Sequence, residues 1–221
     1  TKKTKAICVV HVGGVISEKI TDLLNLCKKK KLFLVEDAAH ALGSTLNGQQ
    51  AGTFGDVAGF SFYPTKIVTS GEGGIITTNS EQIDSESRLY RDQGKDNFTS
   101  NVHGRLGYNW RMSEPHAIIG LAHCQHLDEF IAERQTVARF YDTALADIDG
   151  VTPVLPPQGC RSNYYKYIAT IDDWIDRTAL KQMMRDEFGI GLSGEVYERP
   201  VHLQPYFDGH YAEGMLPVAE R

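Results

Sequence analysis

Two short apolar runs separated by one amphipathic stretch constrain this chain more than any other feature. "AICVVHV" (Ala6–Val12) and "LFLVEDAAH" (Leu32–His40) have strand length and little polar alternation, so each reads as a strand buried on both faces. Between them Ile20, Leu23, Leu24 and Cys27 recur at helical spacing over Ser17–Lys30, with Ser17 placed to cap the helix before Glu18. Strand, helix and strand in so short a span imply a crossover between parallel strands. That order makes the fold α/β. Val57–Phe62 and Gly74–Thr78 read as further short strands, on either side of a loop that holds Lys66. The lysines of "CKKKK" (Cys27–Lys31) fall where the helix ends, and cations there complement its dipole, so the block reads as a solvated terminus.

From Ser113 to Asp147 a helical period runs on through Ile118, Leu121, Ala122, Leu127 and Ile131, long enough to break or to bridge two lobes. "VTPVLPPQGC" (Val151–Cys160) is a proline-rich connection and marks the expected boundary. Residues 1–150 are therefore expected to form a large domain that includes the long connecting helix. Residues 151–221 are expected to form a smaller α+β lobe: "YYKYIATI" as a strand, "RTALKQMMRDEFGI" as a helix closed by Gly189, and "LSGEVY" as the start of a strand.

Composition narrows the function classes. Hydrophobic residues make up 41% and charged residues 23% of the 221 positions, so a packed core is expected and bulk disorder is not. A net charge of −5 with no second dense basic block argues against nucleic acid as a partner. No apolar run approaches the length needed to span a bilayer, and the first residues lack the order of a signal peptide. Cys8, Cys27, Cys124 and Cys160 are scattered without a CxxC pair, so neither a disulfide framework nor a zinc knuckle is indicated and a reducing cytoplasm is expected. His123 and His126 share a helical face with no evident further ligand, and no metal site is assigned to them.

The residues that carry chemistry each have an ordinary reading. Lys66, between the run "FSFYPT" and the glycines Gly71, Gly73 and Gly74, is by itself a loop lysine. Asp37 ends an apolar strand, where a carboxylate commonly caps the next helix. His40 is by itself a half-buried histidine, and Ser61 a solvent-facing strand residue. Together they are an amine, an acid and a hydroxyl at strand ends, where ligands bind in parallel sheets. Pyridoxal phosphate needs that set: an amine for its aldehyde, an acid for its ring nitrogen and donors for its phosphate.

The stretch "VEDAAHALGSTLNGQQAGTFGDVAGFSFYPTKIVTSGEGGIITTN" resembles the DegT/DnrJ/EryC1/StrS sugar aminotransferases, in which an "EDAA(Q/H)" strand end, a "G(S/T)FGD" turn, "FSF" with "TK", and "G(D/E)GG" succeed one another in that order. "GYNWRM" and "RPVHLQPYF" resemble later motifs of the same family. The resemblance covers nearly the whole chain. It implies a type I aminotransferase fold, a three-layer large domain with a mostly parallel sheet that is partial here, and a smaller C-terminal lobe. Lys66 is then the Schiff-base lysine and Asp37 the partner of the pyridine nitrogen. His40 lies beside the cofactor ring near its phenolic oxygen, and Ser61 contacts the phosphate. Asn109 reaches the phosphate of a neighbouring subunit in a homodimer with shared sites, and His202 approaches the sugar. The family's N-terminal phosphate turn and ring-stacking aromatic have no match, nor do its last strands and helix, so an interior piece of a longer enzyme is expected, one that alone binds the cofactor weakly and does not transaminate.

The activity implied is amino transfer from a donor, glutamate in most of the family, to a nucleotide-linked keto-sugar. "TSGEGG" and "RDQGK" lean toward the branch that acts on 4-keto-6-deoxy sugars. Two rivals stand beside it. A keto-cyclitol aminotransferase or a sugar dehydratase keeps the cofactor, but the dehydratases replace the lysine with histidine. A regulatory protein that kept only the fold has no need of Lys66, Asp37 and Ser61 together.

Overall fold

Four strands order the first part of the chain. β1 (Ala6–Val10), helix α1 (Ile20–Lys30) and β2 (Phe33–Asp37) form the crossover, and β1 pairs parallel to β2 with Val10 opposite Asp37. The hairpin strands β3 (Thr45–Leu46) and β4 (Gln49–Gln50) precede β5 (Val57–Ser61), which lies parallel to β2 with Asp37 opposite Gly59. β6 (Gly74–Thr77) returns antiparallel to β5, giving the order β1-β2-β5-β6. The computed structural model describes residues 1–97, 99, 101–192, 199–207 and 209–220. The carboxyl ends of β1, β2 and β5 thus share one edge, the edge at which ligands bind in parallel sheets.

Helices α2 (Glu81–Arg91), α3 (Glu114–Cys124) and α4 (Leu127–Leu145) come next. The long helical period breaks between α3 and α4, where His126 takes a non-helical conformation and its Nδ1 meets Glu129 Oε2 at 3.1 Å. β7 (Val151–Pro153), β8 (Cys160–Arg161) and β9 (Ala169–Ile171) are short; β8 joins β3 in an antiparallel pair, and β7 pairs with β9. The chain divides into two compact units, Thr1–Thr170 and Ile171–Arg221. Because β8 is bonded to β3, the stretch after the proline-rich connection packs with the first unit up to Thr170. In the second unit α5 (Arg177–Phe188) is capped by Asp176, whose carboxylate accepts the Ala179 N–H, and ends at Gly189 in the left-handed region; α6 (Pro217–Glu220) is a single turn. The strand expected at "LSGEVY" lies outside the described residues from Ser193 onward.

Three local readings change. β1 is an edge strand whose residues alternate between exposed and half-buried, because β2 is its only neighbour among the described residues. Ser17 does not cap α1; its Oγ accepts the Lys19 N–H in a turn and the helix starts at Ile20. "YYKYIATI" is strand only from Ala169, because Tyr164 adopts φ 47° and the hydroxyl of Ser162 and the amide of Asn163 capture the N–H groups that a ladder needs.

The core of the first unit is built on Ile16, Ile20, Cys27, Leu34, Ala38, Ala41 and Ala58. Within it lies a carboxylate. Glu36, 1% exposed, accepts the Gly52 N–H and His11 Nε2 on one oxygen, at 2.8 and 2.9 Å. Its other oxygen takes the Phe54 and Gly55 N–H groups, both at 2.7 Å. Burial pushes this carboxyl up, but His11 and the three N–H groups outweigh burial and hold it below the ordinary value of 4.5. A depressed carboxyl stabilises the fold above its ordinary value, and that contribution is lost as pH falls through the folded value. Glu36→Gln, which presents an amide donor where a carboxylate oxygen took an N–H, should cost about 2 kcal/mol or more at neutral pH. Urea unfolding of both proteins from pH 7 down to pH ~3 checks this, and the two curves should converge as the wild type protonates below its ordinary value.

Candidate active site

The site forms where three segments meet at the carboxyl edge of the sheet. β2 delivers Asp37, and there the strand stops: Asp37 Oδ1 accepts the Ala39 N–H at 3.1 Å, and a turn carries the chain to His40. β5 delivers Ser61, whose Oγ accepts the Tyr63 N–H at 3.3 Å, and the loop beyond it delivers Lys66. The third segment, Ser162–Lys166, comes from far along the chain. His40, Ser61, Lys66, Asn163 and Tyr165 line one cleft together with Ile67 and Val68. Asp37 is not among the lining residues but acts electrostatically on His40.

His40 has a defined state. The Gly13 N–H donates to its Nδ1 at 3.3 Å, so the neutral ring carries its proton on Nε2. Burial, then the Lys66 and Lys166 ammonium groups, hold this imidazole below its usual value, against the opposing pull of Asp37. At neutral pH His40 is therefore an uncharged donor. Asp37 keeps one carboxylate oxygen free of hydrogen bonds among the described residues, and Lys66 Nζ has neither hydrogen bond nor ion pair there. The side chains present are a half-buried amine, a carboxylate with an open oxygen, a neutral imidazole donor and a serine hydroxyl free to donate. That set fits pyridoxal phosphate, whose aldehyde, ring nitrogen, phenolic oxygen and phosphate require those four chemistries.

Sequence reasoning misses the third wall of the cleft. Asn163, 1% exposed, donates from Nδ2 to the carbonyls of His40 and Leu42, at 3.0 and 2.8 Å, and accepts the Tyr165 N–H on Oδ1. Its own N–H goes to Ser44 Oγ, which in turn donates to the Gly14 carbonyl. From α4, Gln135 donates to the Ser162 carbonyl at 2.9 Å and Arg134 to the Tyr164 carbonyl at 3.3 Å. The signal was legible in kind: Ser-Asn ahead of three tyrosines is a turn-forming pair that competes with a ladder. Its target was not, because the partners are more than a hundred residues away.

The other expected site residues lie elsewhere. Asn109 is exposed, bridged to Asp92 beyond α2, and is not among the residues that line the Lys66 cleft within this chain. His202 belongs to the second unit, where its Nε2 meets Glu220 Oε1 at 2.9 Å and it lines a cleft with Arg199, Gln204, Phe207 and Tyr211. Hydrogen bonds from His202 and from the Leu216 and Gly214 N–H groups hold the Glu220 carboxyl below its ordinary value.

Residues 1–221 match the DegT/DnrJ/EryC1/StrS aminotransferase family along their whole length. The chain is 34% identical to the GDP-perosamine synthase of Caulobacter vibrioides over 221 residues, all of this chain and 59% of that protein. It is 31% identical to a putative pyridoxal phosphate-dependent aminotransferase, EpsN, of Bacillus subtilis, over 92% of this chain and 52% of that protein. The crystal structure of the aminotransferase TlmJ from Streptoalloteichus hindustanus superposes with a TM-score of 0.89 at 31% identity, covering 100% of this chain and 58% of that one. The chain thus spans a little over half the length of the relatives it matches, and within that span the type I aminotransferase fold is shared.

The cleft depends on close approach of its walls at Gly14. That residue has φ +93°, and a Cβ there would lie 1.9 Å from Asn163 Oδ1. Gly48 has a similar φ of +82° with nothing within 4 Å. Gly48→Ala should cost about 1 kcal/mol from backbone strain alone, and Gly14→Ala roughly 2 kcal/mol more, because Asn163 must give way. Urea midpoints of the two variants against wild type measure the difference.

Proposed function

The chain belongs to the DegT/DnrJ/EryC1/StrS aminotransferase family, and on that premise we propose that it forms the lysine-bearing part of a pyridoxal-phosphate-dependent enzyme that transfers an amino group from an amino acid, glutamate in particular, to a nucleotide-linked keto-sugar. The observation that carries this reading is the cleft itself: Lys66, His40 and Ser61 line it, Asp37 acts electrostatically on His40, and the Lys66 amine is not tied down by any carboxylate among the described residues. The name of the Caulobacter relative supports a nucleotide-linked sugar as acceptor. Within that class a 4-keto-6-deoxy sugar is the acceptor we propose, on the wording of "TSGEGG" and "RDQGK". Lys66, Asp37, His40 and Ser61 lie in residues 1–150, the large domain of this reading, and the family resemblance assigns His202 of the C-terminal lobe to the sugar.

Bound pyridoxal phosphate supplies an aldehyde that condenses with amines and a ring that takes up the electron pair left when a proton leaves the substrate carbon. The residues of the chain do the rest. Lys66 Nζ would be the attachment point and, once free, the base that would carry the proton from the donor's α-carbon to the cofactor's aldehyde carbon. The open oxygen of Asp37 would accept a hydrogen bond from the ring nitrogen and keep it protonated. His40 would donate its Nε2 proton toward the phenolic oxygen, and Ser61 its hydroxyl to the phosphate. Asn109, exposed at its bridge to Asp92, is available to a second copy of the chain, and we assign it to the phosphate of the partner's site in a homodimer.

Two measurements test the assignments. Borohydride reduction of the cofactor-loaded protein, followed by peptide mapping, should leave the pyridoxyl label on Lys66; a label on another lysine refutes the role. Asp37→Asn removes the charge that holds the ring proton and should lower turnover at least about a hundredfold while the melting temperature stays near wild type. Turnover that survives the substitution would remove Asp37 from the mechanism.

A further inference from the structure

Lys66 Nζ has one close neighbour with a claim on its charge. The face of the Tyr165 ring lies 4.6 Å away, centroid to nitrogen, within cation–π range. The same ring tilts against His40 at 4.4 Å and 38°. Its hydroxyl pairs with Thr65 Oγ1 at 2.9 Å, on the residue immediately before the lysine. One side chain therefore touches the amine, the imidazole and the loop that carries the amine. Its backbone is held independently of all three: Asn163 Oδ1 takes the Tyr165 N–H, and Arg134 reaches the Tyr165 carbonyl at 3.5 Å.

We propose that Tyr165 is a positioning residue for the Lys66 amine, acting through its ring face, with the hydroxyl tying that ring to the lysine's own loop. The proposal rests on the reading of Lys66 as the reactive amine. A lysine stem has several rotatable bonds, and an amine that must meet an aldehyde and then carry a proton gains from being held in one place. A carboxylate would hold it more firmly but would also stabilise the ammonium through a hydrogen bond that must break before the amine can react. A ring face attracts the ammonium and has no such claim on the neutral amine. It thus parks the side chain without trapping it. Lys166 Nζ approaches the same ring at 5.4 Å, farther than Lys66.

The test separates the ring from the hydroxyl. In the protein freed of pyridoxal phosphate, with its lysines dimethylated using a carbon-13 label, the Lys66 methyl resonance should be displaced by the Tyr165 ring current. That displacement should persist in Tyr165→Phe and vanish in Tyr165→Leu. The rate at which added pyridoxal phosphate and borohydride label the Lys66 peptide should fall about three- to thirtyfold in Tyr165→Leu, and should stay within about twofold of wild type in Tyr165→Phe. An undisplaced Lys66 resonance in wild type overturns the proposal, and so does a leucine variant that labels at the wild-type rate. A phenylalanine variant as impaired as leucine also overturns it, because the hydroxyl rather than the ring face would then be responsible. Should the leucine variant not fold, the wild-type resonance and the phenylalanine variant decide between these outcomes. Absence of label on Lys66 in wild type sinks the reading of Lys66 and the proposal with it; normal labelling in wild type and leucine variant alike sinks the proposal alone.

Discussion

The arrangement at the carboxyl edge of the sheet depends on a carboxylate that never meets solvent. Glu36 is a strand residue directed into the core, and its two oxygens gather three backbone N–H groups of the "GTFGD" turn and one ring nitrogen of His11. A buried charge is costly unless every lone pair is used, and here each oxygen accepts two bonds. The consequence is geometric. The turn that ends at Asp56 is fastened beside β2, and Asp56 in turn accepts the Leu34 N–H at 2.7 Å, so β5 starts in register with its neighbour. His11 belongs to the segment after β1, so the same carboxylate sets where that strand stops.

With those strand ends fixed, Asp37 and Ser61 come to neighbouring strand ends of one sheet edge. Asp37 is the next residue after Glu36, so its side chain leaves the opposite face of the strand, and as the last residue of β2 it stands at the edge. Ser61 ends β5 one strand over, and Lys66 sits on the loop that folds back over it, its N–H bonded to the Tyr63 carbonyl. The alternation of a β-strand thus assigns adjacent acids to different tasks. Glu36 holds the fold together, and Asp37 faces the ligand edge.

The features legible in the sequence came from local rules. The βαβ order came from apolar runs and a helical period, and the four site residues of the sheet edge came from their order in the motifs. Gly189 closing α5 is a short-range signal, and it stands in the structure. The long helical period was ambiguous for a local reason: nothing in the spacing of Leu121 and Leu127 says whether the helix continues through Gln125. The structure breaks it there, with His126 turned to Glu129.

By itself, then, the sequence determined the α/β order and the chemical identity of the amine, acid and hydroxyl, because each depends on neighbours within a few residues. Only the tertiary structure decided that Glu36 is buried and Asp37 has no ion pair among the described residues, that "SNYYKY" is a clamped loop rather than a strand, and that Tyr165 closes over Lys66. The bond between Thr65 and Tyr165 spans 100 residues. No periodicity reports such a contact, because it exists only after the sheet has brought His40, Ser44 and Gly14 close enough to hold Asn163 among them.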